Sequence, residues 1–179
     1  GLIGKIKNVD ATFTKLVSGE IRELDSKQAG GSVTELGTYP LLAIVKLLGS
    51  DVKETGFYSY FDEEQEIDLF TKINMVYDDA IATAKVGLGV KSEGDLIISG
   101  TKGYVYVPSP WWKTEYFEVR FEDFNMNKKY YYKFDGDGLR YELSEFVSMI
   151  NNDRFESYKL TNHESIKIIS TIEMFLNKL

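Results

Sequence analysis

The sequence predicts an α+β domain: a large open, mostly antiparallel β-sheet with helices covering one face. Three observations carry this. A helical stripe stands near the front of the chain, a long middle stretch alternates apolar and polar residues with a period of two, and two further helical stripes close the chain. Aromatics make up 14% of the 179 residues, with 12 Tyr and 11 Phe, a composition that favours sheet.

In order, Ile3 to Lys15 reads as a strand in which Ile6, Val9 and Phe13 mix with Lys and Thr. Residues 16–29 are polar and irregular and read as a long, mobile loop. Gly30-Gly31-Ser32 then opens a helix to about Leu48. Leu41, Val45 and Leu48 lie at i, i+4 and i+7, Leu42 and Ile44 widen the stripe, and Gly49 supplies a C-terminal stop. Strands follow. Ala82, Ala84, Val86, Leu88 and Val90 alternate with Thr83, Lys85, Gly87 and Gly89; Phe117, Val119 and Phe121 alternate with Glu118, Arg120 and Glu122; Tyr130, Tyr132 and Phe134 alternate with Lys129, Tyr131 and Lys133. Asp78-Asp79, Glu93-Gly94 and Lys102-Gly103 stand where turns between antiparallel strands belong. Leu139, Leu143, Phe146, Val147 and Ile150 mark the first closing helix. The second begins at Thr161, with Glu164 at capping-box spacing, and carries the stripe Ile169, Ile172, Leu176 and Leu179. The sheet's second face also needs cover if it is as aromatic as the strands imply, and a partner subunit is one way to supply it.

Composition narrows the function. The length suits one domain spanning 1–179, since ~100–200 residues per domain is usual. With 21 Lys+Arg against 28 Asp+Glu, the net charge of −7 argues against nucleic-acid binding, which needs cations to replace counterions. The longest apolar run, Leu41–Val45, is far short of the ~20 residues of a membrane span, and no signal peptide is visible, so a cytoplasmic protein is expected. The absence of cysteine excludes disulfides, thiolate zinc sites and thiol catalysis; a single histidine, His163, excludes His-rich metal sites, and no metal is expected. The chain begins at Gly1 and its first methionine is Met75, so the natural start is expected upstream, with a segment removed.

The segment Gly30 to Pro40 carries the most chemistry. A glycine pair lets the backbone turn tightly and approach a ligand. Glu35 and Tyr39 follow at i and i+4, on one helical face near the N-terminus, where the dipole favours carboxylate and phenolate alike. Two readings stand side by side. The pair is an acid/base constellation, or the glycines merely permit a turn, Glu35 is solvated and Tyr39 is core.

The same segment, as Gly30-Gly31-Ser32, Glu35, Gly37, Tyr39 and Pro40, resembles the helix-opening signature of the Gfo/Idh/MocA oxidoreductases. Three more segments resemble that family, in its order: Ile3-Gly4-Lys5-Ile6, the turn Ile98 to Val105 with Gly100-Thr101-Lys102-Gly103, and the helix Tyr141 to Phe146. The resemblance implies a two-domain enzyme. A first, Rossmann domain would hold NAD or NADP and the catalytic Glu-Lys-Pro lysine; this chain matches only the second, α+β domain. No G-x-G-x-x-G stands in it, and Gly87-Leu88-Gly89 reads as structural glycine inside a strand. The fragment alone is therefore expected to be inactive and to bind no dinucleotide strongly. By resemblance, Tyr39 would be the acid/base that exchanges the substrate hydroxyl proton, and Glu35 would bind substrate hydroxyls or orient that acid/base. Gly31 and Ser32 would lie close to the substrate. The substrate would be a sugar, polyol or related carbinol, and the sheet would form a homodimer or higher oligomer. The alternative is a non-catalytic binding or dimerisation module on the same scaffold.

Trp111 and Lys113, after Pro108-Ser109-Pro110, join the substrate candidates: tryptophan stacks on sugars and Lys113 meets phosphate or carboxylate. The plainer reading has tryptophan covering a sheet edge or interface. Asp62 to Glu66 reads as a solvated hairpin tip, His163 as an exposed residue in a helix's first turn, and Asp135 to Gly138 as a turn before a helix.

Overall fold

The structure is a computed structural model that describes residues 1–19 and 21–178; Glu20 of the expected loop and Leu179 of the expected last stripe lie outside the described residues. Eight strands form one sheet: β1 (Ile6–Thr14), β2 (Glu54–Asp62), β3 (Ile67–Val76), β4 (Ile81–Gly87), β5 (Leu96–Gly100), β6 (Tyr104–Val107), β7 (Tyr116–Arg120) and β8 (Lys128–Tyr131). Four α-helices accompany them: α1 (Ser32–Leu36), α2 (Thr38–Leu48), α3 (Leu139–Asn151) and α4 (Asn162–Leu176). The strand order is β2-β3-β4-β1-β5-β6-β7-β8. All neighbours are antiparallel except β1 and β4, a parallel pair whose crossover contains α1, α2 and the β2–β3 hairpin. The expected open, mostly antiparallel sheet is therefore the fold.

Period-two patterning builds the core. In-register rows Val9–Ala82–Met75 and Ala11–Ala84–Ile73 point to one face and are buried. Leu41, Ile44 and Val45 of α2 and Val33 and Leu36 of α1 pack over them, joined by Ile168, Ile172 and Phe175 of α4. The other face carries Tyr58 and Tyr60 on β2, Tyr104 and Tyr106 on β6, and Tyr116 on β7.

Five local expectations are corrected. The helix expected from Gly30 to Leu48 is two helices joined at Gly37, where a Cβ would stand 2.4 Å from the Val33 carbonyl oxygen. The loop expected to be irregular holds two 3₁₀ turns, Arg22–Leu24 and Ser26–Gln28. The Asp25 side chain caps the second through the Lys27 N–H at 2.9 Å, and its carbonyl accepts the Gly30 N–H. Glu93-Gly94 is not a hairpin turn, because β4 and β5 flank β1 on opposite sides. The third alternating strand is shorter and earlier than its pattern, ending at Tyr131. On α4 the buried stripe is Ile168, Ile172 and Phe175, with Phe175 against Phe57 at 5.4 Å, while Ile169 is 57% exposed. Both stripes contain Ile172; the helix is rolled so that its i−4 and i+3 neighbours face the core. The Thr161/Glu164 capping box forms as expected. The α3 stripe is helical as expected, yet Leu139, Leu143, Phe146, Val147 and Ile150 are each more than half exposed.

Candidate functional site

Tyr39, second residue of α2, meets the C-terminal end of β1 edge-on: its ring lies 4.7 Å from Phe13 at 79°. Phe13 in turn stacks on Trp112 at 3.9 Å and 22°, and Trp111 stands edge-on to Trp112 at 6.0 Å. Trp111 is anchored by its indole N–H, which donates to the Thr12 carbonyl at 2.8 Å. One aromatic chain thus ties the head of α2, the end of β1 and the short turn Trp111–Lys113.

A groove of about 540 Å³ opens along this chain. Tyr39, Leu42 and Ala43 form its α2 wall, and Trp111, Trp112 and Lys113 a second wall. Phe134, Asp137, Leu139 and Glu142, from the approach to α3 and its first turn, close it. Three of the sequence candidates, Tyr39, Trp111 and Lys113, therefore share one groove. Sequence reasoning missed Phe13, Asp137 and Glu142 as neighbours of that site. Phe13 was legible only as a strand residue and Asp137 only as part of a turn; no local pattern links either to residue 39.

The other candidates are turned elsewhere. Glu35 does not line the groove. Its carboxylate takes both arms of the Arg22 guanidinium, at 2.6 and 2.7 Å, which raises the Arg22 pKa further and ties the first 3₁₀ turn to α1. Ser32 is fully buried: its hydroxyl donates to the Asp68 carbonyl at 2.9 Å and accepts the Leu88 N–H at 3.0 Å. Gly31 has φ 115°, and a Cβ there would lie 2.6 Å from Asp68 Oδ1. Asp68 is 2% exposed, and its carboxylate accepts the Val33 N–H at 3.1 Å and the Thr71 hydroxyl at 2.6 Å. Burial pushes this carboxyl up to about 6 in spite of those hydrogen bonds.

The structure offers a dinucleotide no seat at the glycine pair. A pyrophosphate bound at a helix N-terminus needs free N–H groups and no competing anion. Here α1 is five residues long and the Asp68 carboxylate already takes the Val33 N–H. Among the described residues no group of three or more His, Asp or Glu is arranged to hold a metal ion, and no helix is long and apolar enough to cross a membrane.

Residues 1–106 match the family model described as the GFO/IDH/MocA C-terminal domain. No curated protein matches the chain. Among solved structures it is similar to a 3-ketoreductase from Actinomadura kijaniata in complex with NADP and TDP-benzene (TM-score 0.82, 14% identity, 97% of this chain and 54% of that one). It is also similar to an aldose-aldose oxidoreductase from Caulobacter crescentus complexed with glycerol (0.82, 16%, 99% and 54%). A third similar structure is a UDP-N-acetylglucosamine 3-dehydrogenase from Acidithiobacillus ferrooxidans (0.75, 12%, 96% and 53%). At these identities the likeness is one of fold, and the chain spans about half the length of the structures it matches.

Proposed function

The chain belongs to the Gfo/Idh/MocA family as a C-terminal domain, and from that premise we propose that it is the substrate-binding and oligomerisation domain of an NAD(P)-dependent oxidoreductase acting on a sugar, polyol or related carbinol. The observation that carries the proposal is the groove in which Tyr39 stands with Trp111 and Lys113. Tyr39 is 46% exposed and lines the groove, so it is reachable by a ligand. Trp111 and Trp112 give apolar faces for the C–H side of a sugar ring; Lys113, Asp137 and Glu142 give a donor and two acceptors for its hydroxyls.

The division of labour is supported by the similar 3-ketoreductase, which is solved with NADP and of which this chain spans 54%. The hydride carrier is assigned to another domain and the proton to this one. In the reductive direction the Tyr39 hydroxyl gives its proton to the substrate carbonyl oxygen as hydride reaches the carbonyl carbon, leaving a phenolate; in the oxidative direction that phenolate takes the proton back from the substrate hydroxyl. Glu35, gripped by Arg22, anchors α1, the short helix before the one that bears Tyr39, and does not line the groove. The tyrosine-rich sheet face is the surface offered to a second copy of the chain.

Tyr39→Phe in the full-length protein keeps the ring contact with Phe13 and removes only the hydroxyl. Turnover of the oxidoreductase is expected to fall by about 10²–10⁴-fold, the usual weight of general acid/base catalysis, with NAD(P)H affinity unchanged in a fluorescence titration. Unchanged turnover would overturn the role. It would favour the second reading, a binding module on the same scaffold, which draws support from the inward-turned Gly31 and Ser32 and the paired Glu35.

A further inference from the structure

The buried carboxylate of Asp68 takes no part in the chemistry proposed above, and its cost needs a reason. Among the described interactions no Lys, Arg or His faces it. From α1 it meets the Val33 N–H, from its own strand the Thr71 hydroxyl, and its main-chain carbonyl receives Ser32, which also reaches Leu88 beyond β4. A buried carboxylate without a counter-ion is costly and persists where it specifies an arrangement.

We infer that Asp68 is a positioning residue: with Ser32 and Thr71 it forms a buried polar clamp that sets the α1–α2 run on the sheet and thereby fixes the Tyr39 ring in the groove. The inference rests on the reading of Tyr39 given above. Helix α1 has only five residues, too few to hold its own geometry in water, so its placement comes from what it docks on. Two of its first residues, Ser32 and Val33, dock through hydrogen bonds to Asp68. Gly31 fits because the Asp68 carboxylate fills the place of a Cβ. The path to Tyr39 is stiff. The Val33 carbonyl accepts the Gly37 N–H at 2.9 Å, and the Gly37 carbonyl in turn accepts the Leu41 N–H at 3.1 Å across residue 39, so the two bonds run continuously from Val33 past Tyr39. A shift of Val33 therefore moves Tyr39 against Phe13, and through Phe13 moves Trp112.

That aromatic chain is also the reporter, since both tryptophans of the protein lie in the groove. In the 179-residue chain, which has its own core, Asp68→Ala is expected to raise acrylamide quenching of tryptophan by about twofold while the far-UV spectrum stays native, as local packing loosens without global unfolding. Asp68→Asn keeps the acceptor for Val33 and is expected to restore wild-type quenching. Thr71→Val, a milder break that keeps a β-branched residue in the strand, is expected to shift quenching in the same direction should Asp68→Ala fail to fold. Ile172→Ala removes core packing supplied by α4 but no hydrogen bond of the clamp, and is expected to lower the melting temperature without the quenching change. The inference is overturned if Asp68→Ala, or Thr71→Val in its place, leaves quenching unchanged, or if Ile172→Ala reproduces the change. Because the readout is optical, its failure is distinct from a failure of the acid/base role, which Tyr39→Phe turnover tests by itself.

Discussion

Replacing Asp68 by Asn should remove a pH dependence that the rest of the protein cannot supply. The carboxyl titrates at about 6 in the folded chain against an ordinary 3.8. A folded value above the unfolded one means the native state binds the proton more readily, so this group's contribution favours folding at low pH and is lost as pH rises through about 6. The gap is roughly two pH units, and at about 1.4 kcal/mol per unit it amounts to about 3 kcal/mol between the two limits. Other carboxylates move the opposite way. Lys46 holds Glu164 below the usual range, and Ser157, with Arg154, does the same for Glu145; both lose stability as the solution is acidified. These groups are common to both proteins and cancel in the difference. Urea unfolding of wild type and Asp68→Asn, followed by tryptophan emission between about pH 4 and pH 8, isolates the Asp68 part. The wild type should gain about 2.5 kcal/mol on the variant as pH falls across the window, most of it between about pH 6 and pH 4. A difference that stays flat across that window refutes the assignment of a raised value to Asp68.

Two further substitutions test the packing of α4. Ile172→Ala should cost about 2–5 kcal/mol in urea unfolding, because it empties a buried site, whereas Ile169→Ala on the exposed side should stay within about 0.5 kcal/mol; equal costs would reverse the assignment of the buried face. Thr161→Ala removes the hydroxyl that accepts the Glu164 N–H at 3.2 Å and should cost about 1 kcal/mol, with no effect on the groove; a loss well beyond that would mean the residue does more than cap.

The fold was legible where one period serves one face. Ala82, Ala84 and Val86 alternate cleanly because β4 is central, with every inward position covered by helix and every outward one facing the other side. The capping box at Thr161 was legible because it is wholly local, two groups three residues apart. What escaped was nonlocal. That β4 lies parallel to β1, and so cannot turn directly into β5, depends on a crossover of more than sixty residues that no dipeptide announces. The roll of α4 was missed because Ile168 and Ile169 are chemically alike and either extends a stripe through Ile172; the core that receives Ile168, Ile172 and Phe175, with Phe57 more than a hundred residues earlier, is nonlocal.

The candidate site divides along the same line. Tyr39 and Glu35 share a helical face by spacing, but spacing does not say what each will meet. Arg22 reaches Glu35 from a loop that looked irregular, and Phe13 and Trp112 reach Tyr39 from two other parts of the chain. The glycine pair was read as room for a ligand, and the ligand turned out to be internal: a carboxylate on β3 occupies the space that Gly31 leaves. Helix α3 makes the converse case. Its stripe was read correctly as amphipathic, yet Leu143, Phe146 and Ile150 remain exposed and only Leu139 and Glu142 of its first turn reach the groove. Periodicity identifies which side chains are out of place in water, and a single chain covers only those for which it carries the partner. The groove is therefore walled on one side by the first turn of a helix whose apolar stripe stands exposed, so the lining was legible as a periodic pattern while its place beside Tyr39 was not.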